Sequence, residues 1–221
     1  MNVVVVAPHP DDEVIGVGGT IAKHVRNGDD VYVIVATRGD SVFYSHDYVE
    51  IGRQQQKEAD DVLGVKEIVY LDLPSPTLDT RLHAELVREI QNGIKAFSPR
   101  EIYIPHYGDM HMEHRMVEEA CMVALRPKEF EELTIYGYEV PSETGWNVPC
   151  PHNEFIPNVY VELDVAEIEA KRTALLKLDS QMNKYPSARS VEAIENLAKY
   201  RGNTVGASFA EAFMLIRQQR R

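Results

Sequence analysis

Val3-Val4-Val5-Val6 is an unbroken run of β-branched residues that stops at the rigid corner Pro8-His9-Pro10. A run that is apolar at consecutive positions, rather than alternate ones, reads as a strand buried on both faces, and such strands belong to parallel sheets with helices on each side. The rest of the chain repeats the unit. Residues 16–26 carry Val17, Ile21 and Val25 at four-residue spacing, which makes one helical face, and Asn27-Gly28 ends the helix. Residues 31–36 form a second buried strand. A helix around 54–63 closed by Gly64, a strand at 67–71, a helix over 84–97 and a strand at 101–105 follow. A helix over 113–125, a strand at 134–139 and an extended run at 159–163 come next, and two further helical stretches are expected to finish the chain. This βα alternation predicts a doubly wound, Rossmann-like α/β fold with a mainly parallel sheet. The short connections offer no boundary, so residues 1–221 are expected to form a single domain. The long segment 141–157, with four prolines and the only tryptophan, Trp146, is expected to be a lid or binding rim.

Charge and cysteine content narrow the function classes. With 35 Asp+Glu against 23 Lys+Arg the formal net charge is −12, so the average surface field repels nucleic acid and anionic membrane. No apolar stretch approaches the roughly 18 residues of a membrane helix, and the apolar opening has no basic leader. Cys121 and Cys150 cannot build a disulfide framework and are not spaced as a metal pair. A soluble cytoplasmic protein, with no nucleic-acid partner and no membrane insertion, is expected; a homo-oligomer remains open.

The residues that can carry chemistry gather in two clusters, each placed directly after a strand. His9-Pro10-Asp11-Asp12-Glu13 follows the first strand, at the carboxyl edge where open α/β sheets bind ligands. Three acids and a histidine in five residues repel one another unless a cation joins them, the alternative being a solvated acidic turn that caps the next helix. Asp109-Met110-His111-Met112-Glu113-His114 follows the strand ending at Pro105, and by itself reads as two surface histidines in a polar loop. Strand order decides. In the order 3-2-1-4-5 the first and fourth strands are neighbours at the switch point, so the two clusters meet in one crevice.

His9, Asp12 and His114 then offer two imidazoles and one carboxylate with room for water, the composition of a catalytic rather than a structural zinc site. Such a site makes hydroxide available near neutral pH and polarises a carbonyl, which is hydrolysis of an amide or ester. Asp11, beside the ligands, is the candidate base for the water proton. His111, if held charged by Asp109 or Glu113, is free to face the oxyanion or to protonate the leaving amine. The same ligand composition describes non-haem iron oxygenases, and spacing leaves iron open. Gly16-Val17-Gly18-Gly19 is a weak dinucleotide signal, because the third glycine would fall at Ile21 and acids precede it; close helix–strand packing is the better reading. Arg53 is either solvated or a clamp on a polar substrate. Cys121 and Met122 read as core filling.

Ala7-Pro8-His9-Pro10-Asp11-Asp12-Glu13 followed by Gly18-Gly19-Thr20 closely resembles the opening motif of the LmbE-like deacetylases, zinc-dependent hydrolases similar to the N-acetylglucosaminyl-phosphatidylinositol de-N-acetylases. The resemblance extends through residues 36–40, the Arg53 helix ending Leu63-Gly64-Val65, the 109–114 cluster, and the closing segments 171–181 and Glu211-Ala212-Phe213. It implies His9, Asp12 and His114 as ligands of one zinc, Asp11 as general base, His111 as the oxyanion or acid histidine and Arg53 as a substrate contact, with Asp109 and Glu113 supporting them. The substrate it implies is a small N-acetylated sugar of the N-acetylglucosamine type. Two departures stand out: the family usually has His-Pro-Asp-His where this chain has His111-Met112-Glu113-His114, and Gln56 stands where a glutamate is common. A zinc amidase on another acylated amine, the iron oxygenase and a silent sugar- or nucleotide-binding module are the rival readings. Contacts to the aglycone are expected in the Trp146 loop and the carboxyl-terminal region.

Overall fold

The computed structural model describes residues 1–130 and 132–220. β1 (Asn2–Ala7) lies between two parallel neighbours, β2 (Asp30–Gly39) and β4 (Glu101–Pro105), and Val3 to Val6 have no exposed surface. β3 (Glu67–Ser75) pairs parallel with β2, and β5 (Thr134–Tyr138) pairs parallel with β4. β7 (Phe209–Gln218) runs antiparallel between β5 and β6 (Val159–Leu163), giving the order β3-β2-β1-β4-β5-β7-β6 among the described residues.

Seven helices among the described residues complete the fold: α1 (Asp12–Arg26), α2 (His46–Leu63), α3 (His83–Phe97), α4 (Met112–Ala124), the short α5 (Pro141–Thr144), α6 (Val165–Leu175) and α7 (Val191–Val205). Side chains alternate across a strand, so the valines of β1 divide between two cores. Val4 and Val6 pack with Leu86 and Ile90 of α3 and Val117 of α4. Val3 and Val5 pack with Ile21 of α1, Leu63 of α2, Leu175 of α6 and Ile194 of α7. Each fully buried valine contributes about 1.5–3 kcal/mol, which pins β1 at the centre and fixes where its carboxyl end emerges. No helix among the described residues is long and apolar enough to cross a membrane.

Two helix boundaries and one strand differ from the sequence reading. α1 starts at Asp12 rather than residue 16, and α2 starts at His46 rather than near 54. After α6 and α7, the two expected helical stretches, the chain adds the strand β7, which the sequence reading did not place. Phe209-Ala-Glu-Ala-Phe-Met-Leu has the Ala, Glu, Met and Leu content of a helix, but its place between β5 and β6 supplies hydrogen bonds on both sides and overrides that propensity.

The glycines of α1 are explained by close approach. A Cβ on Gly16 would sit 2.4 Å from the Tyr138 ring, and one on Gly19 would sit 2.4 Å from Leu163. Next to them the helix ladder is entered by a buried ion pair. Lys171 Nζ donates to Ile15 O at 2.7 Å and to Glu211 Oε1 at 2.5 Å, while the Glu211 carboxylate accepts from Gly19 N and Thr20 N at 2.9 and 2.7 Å. α6 and β7 are thereby bound to the helix that begins at the first cluster.

Candidate active site

β1 and β4 are adjacent, so the segments leaving their carboxyl ends share one crevice, and His9 meets His114 across 105 residues of chain. Asp12 opens α1 and His114 sits in the first turn of α4, so both are held by helix starts rather than loose loops. Three donor atoms converge. His9 Nδ1 lies 3.3 Å from Asp12 Oδ2, His114 Nε2 lies 3.2 Å from the same oxygen, and the two nitrogens are 3.3 Å apart. Zinc at 2.0–2.1 Å from ligands at the tetrahedral angle needs ligand atoms about 3.3 Å apart, so the donor set fits that ion in both spacing and chemistry.

The outer nitrogens of both rings are held by carboxylates. His114 Nδ1 donates to Asp109 Oδ2 at 2.9 Å, and Thr144 Oγ1 donates to the other Asp109 oxygen at 2.6 Å. His9 Nε2 donates to Glu113 Oε2 at 2.8 Å; that carboxylate also accepts from Ser75 Oγ at 2.7 Å and Leu78 N at 3.3 Å. In the neutral ring each pairing leaves the inner nitrogen with its lone pair toward the triangle, the tautomer a metal ligand requires. The site attracts positive charge. Burial opposes a charged imidazole, but Asp12 and Glu113 outweigh it at His9, which is pushed up to about 9, and Asp12 and Asp109 outweigh it at His114, pushed up to about 10. Asp12 is buried too, yet His114 and His9 hold its carboxyl well below the usual range.

His111 differs from the sequence reading. Neither Asp109 nor Glu113 hydrogen-bonds its ring, since one carboxylate is engaged by His114 and the other by His9. His111 Nδ1 instead accepts from the backbone N–H of Glu113 at 3.2 Å, capping α4. Burial and the neighbouring His9 and His114 push its pKa down to about 4. A neutral ring that accepts at Nδ1 carries its hydrogen on Nε2, so His111 is a hydrogen-bond donor rather than an acid. Its ring centroid is 4.6 Å from that of His9.

A cavity of about 260 Å³ opens at this centre, lined by His9, Asp11, His111 and His114 together with Tyr44, Tyr48 and Arg53. Asp11 has its pKa raised by burial, against the opposing pull of the Arg189 guanidinium, which donates to Asp11 Oδ2. Arg53 lies in the cavity wall with its guanidinium carbon 4.4 Å from the centre of the Tyr70 ring and its Nη2 on Asp72. Asp72 has a left-handed φ of 55° where β3 slips register against β2, which turns its carboxylate toward α2. Gln56 lies away from the cavity, fully buried and donating to Glu13 at 3.0 Å.

Sequence reasoning did not find Arg189, Asp72, Tyr44 or Tyr48. Arg189 comes from the connection between α6 and α7, where nothing in Ser187-Ala-Arg-Ser marks it. The tyrosines come from the β2–α2 connection and the start of α2, so that wall is built by another segment than the Trp146 loop. Trp146 is 58% exposed and stands outside the cavity lining, to which its loop contributes Glu143.

Comparison with known proteins places this geometry. The family model described as GlcNAc-PI de-N-acetylase matches residues 4–125. The chain is 28% identical to the diacetylchitobiose deacetylase of Thermococcus kodakarensis, over 97% of this chain and 83% of that protein. Among solved structures it superposes on N,N'-diacetylchitobiose deacetylase from Pyrococcus horikoshii with a TM-score of 0.79 at 22% identity, covering 97% of this chain and 83% of that one. GalB, the 4-carboxy-2-hydroxymuconate hydratase of Pseudomonas putida, shares the fold with a TM-score of 0.76 at 18% identity, covering 100% and 98%. Fold alone therefore does not choose the reaction, and the site must. Matched over more than half its length, including both histidine clusters, the chain belongs to the GlcNAc-PI de-N-acetylase family, a family of hydrolytic deacetylases.

Proposed function

We propose that this protein is a zinc-dependent hydrolase that removes acetyl from an N-acetylglucosamine-type compound. The observation that carries the reading is the triangle of His9, Asp12 and His114 donors, 3.2 to 3.3 Å on each side, whose two histidines line a cavity together with Asp11 and His111. The iron alternative has no support in the relatives found. Zinc held by these three residues would lower the pKa of water toward ~7 and polarise the acetyl carbonyl.

The residues of the chain supply the rest. Asp11 takes a proton from the attacking water through the carboxylate oxygen that Arg189 leaves free, and hands it to the amide nitrogen as the C–N bond breaks. Water and amide thus become acetate and amine with no other reactant. His111 donates from Nε2 to the oxygen that gains charge as the carbonyl becomes tetrahedral. Asp109 and Glu113 keep the two metal-binding imidazoles in the required tautomer and orientation. Arg53, backed by Asp72, is the clamp on the sugar hydroxyls, and Tyr44 and Tyr48, stacked at 5.7 Å, offer the ring an aromatic wall. Cys121 and Cys150 are both free thiols, which favours a reducing compartment such as the cytoplasm.

Acetate release from a panel of N-acetylglucosaminides and other N-acylated amines, with the zinc-loaded protein and without dioxygen, tests the reading. Release from the acetylated sugars is expected. Release only from non-sugar amides would make it an amidase, and no release from any would remove the proposal.

A further inference from the structure

We propose that Arg189 is a positioning residue, which grips one carboxylate oxygen of Asp11 and thereby aims the other at the reacting atoms. This rests on the deacetylase reading for its chemistry but on the fold for its geometry. Among the described residues, the Asp11 side chain makes no hydrogen bond except the one it accepts from Arg189 Nη2. Asp11 belongs to the cavity lining, and the like-charged Asp12 follows it in the chain.

The guanidinium is itself fixed on every edge. Nη1 donates to Ser142 Oγ at 3.2 Å and lies 4.0 Å from Glu143 Oε1, while Nε donates to Gln181 O at 3.2 Å. The next residue, Ser190, caps α7 by accepting from Ala193 N at 3.1 Å, so the backbone that carries Arg189 is anchored as well. A planar fork with all three nitrogens engaged cannot turn without losing several bonds together. Arg189 thus ties the β1–α1 corner to α5 and to the α6–α7 connection. Arg189, Ser142 and Gln181 all lie beyond the 4–125 stretch matched by the family model. The carboxyl-terminal part of this chain, in this view, supplies the part that aims the base.

The test uses the full-length, zinc-loaded protein and Arg189→Ala, Arg189→Lys and Ser142→Ala. Displacement of a reacting group by about 1 Å can cost about 10²-fold. Arg189→Ala should therefore keep its zinc and its KM within about threefold while kcat falls about 10- to 100-fold. Guanidinium at a low, non-denaturing concentration should restore part of that kcat where sodium at the same ionic strength does not. Crystal structures of parent and variant should show the Asp11 carboxylate rotated away when Arg189 is gone. An unmoved Asp11 in Arg189→Ala, or a raised KM with kcat intact, would overturn the proposal; the second result would make Arg189 a substrate contact. Should Arg189→Ala fail to fold, Arg189→Lys and Ser142→Ala loosen the same fork and are read by the same measures. Were the parent to release no acetate, the deacetylase reading would fail, and the crystal comparison would still decide whether Arg189 places Asp11.

Discussion

Glu113 Oε2 lies 2.8 Å from Nε2 of His9, a residue 104 positions earlier, so the base of α4 reaches back to orient a ligand from the first cluster. The glutamate is one methylene longer than the aspartate usual at this place, and that length spans the crevice to His9, Ser75 and Leu78. Loss of such a support costs about 10- to 100-fold in metal affinity. Glu113→Ala should weaken zinc binding by that factor in a chelator competition, and Glu113→Gln, which keeps an acceptor, should weaken it less.

Zinc binding should be pH-dependent with a defined sign. A metal takes neutral imidazoles, whereas without it His9 and His114 hold their protons up to about 9 and about 10. At pH 7 binding must expel protons, so apparent affinity rises from pH 6 toward 9 and flattens above the raised values. Calorimetry in buffers of different ionisation enthalpy should show net proton release; affinity constant across this range would contradict it. In the metal-free chain both pKa values are raised above the unfolded one, so their contribution to stability is full below pH ~6.5 and is lost as pH climbs through both values.

His111→Ala should separate oxyanion stabilisation from metal binding. With Nδ1 occupied by the backbone of Glu113, His111 has only Nε2–H to offer the substrate. Removing one such donor costs on the order of 10²- to 10³-fold in kcat, with ground-state affinity largely untouched. Zinc content should stay at one per chain, while His114→Ala should lose the metal. The reverse pattern in elemental analysis would mean the two histidines exchange roles.

The buried Lys171–Glu211 pair should govern stability rather than chemistry. Glu211→Ala strands the ammonium of Lys171, 3% exposed, and leaves Gly19 N and Thr20 N without their acceptor. Breaking one side of a buried pair costs about 3–5 kcal/mol, to be read as a lowered midpoint in urea unfolding.

How much of this was legible follows from where each residue sits in the chain. His9, Asp11 and Asp12 fall within five residues after a strand whose four valines announce it, and strand order then predicted the meeting with His114. The state of His111 could not be read, because Asp109 and Glu113 each had two histidines within reach and only the fold decides which they take. β7 was hidden by a helix-like composition that its sheet neighbours override. Arg189 and Asp72 were hidden because each acts through a loop or a bulge whose path depends on packing elsewhere.

One zinc on His9, Asp12 and His114 is what, on the proposed function, makes this chain a deacetylase. The most direct measurement strips the protein with a chelator and titrates zinc back while following acetate release from N,N'-diacetylchitobiose. Activity should be lost on stripping and return in proportion to added zinc, levelling at one equivalent per chain, with no return in Asp12→Ala. Activity that survives stripping, or that returns only with ferrous iron and dioxygen, would contradict it.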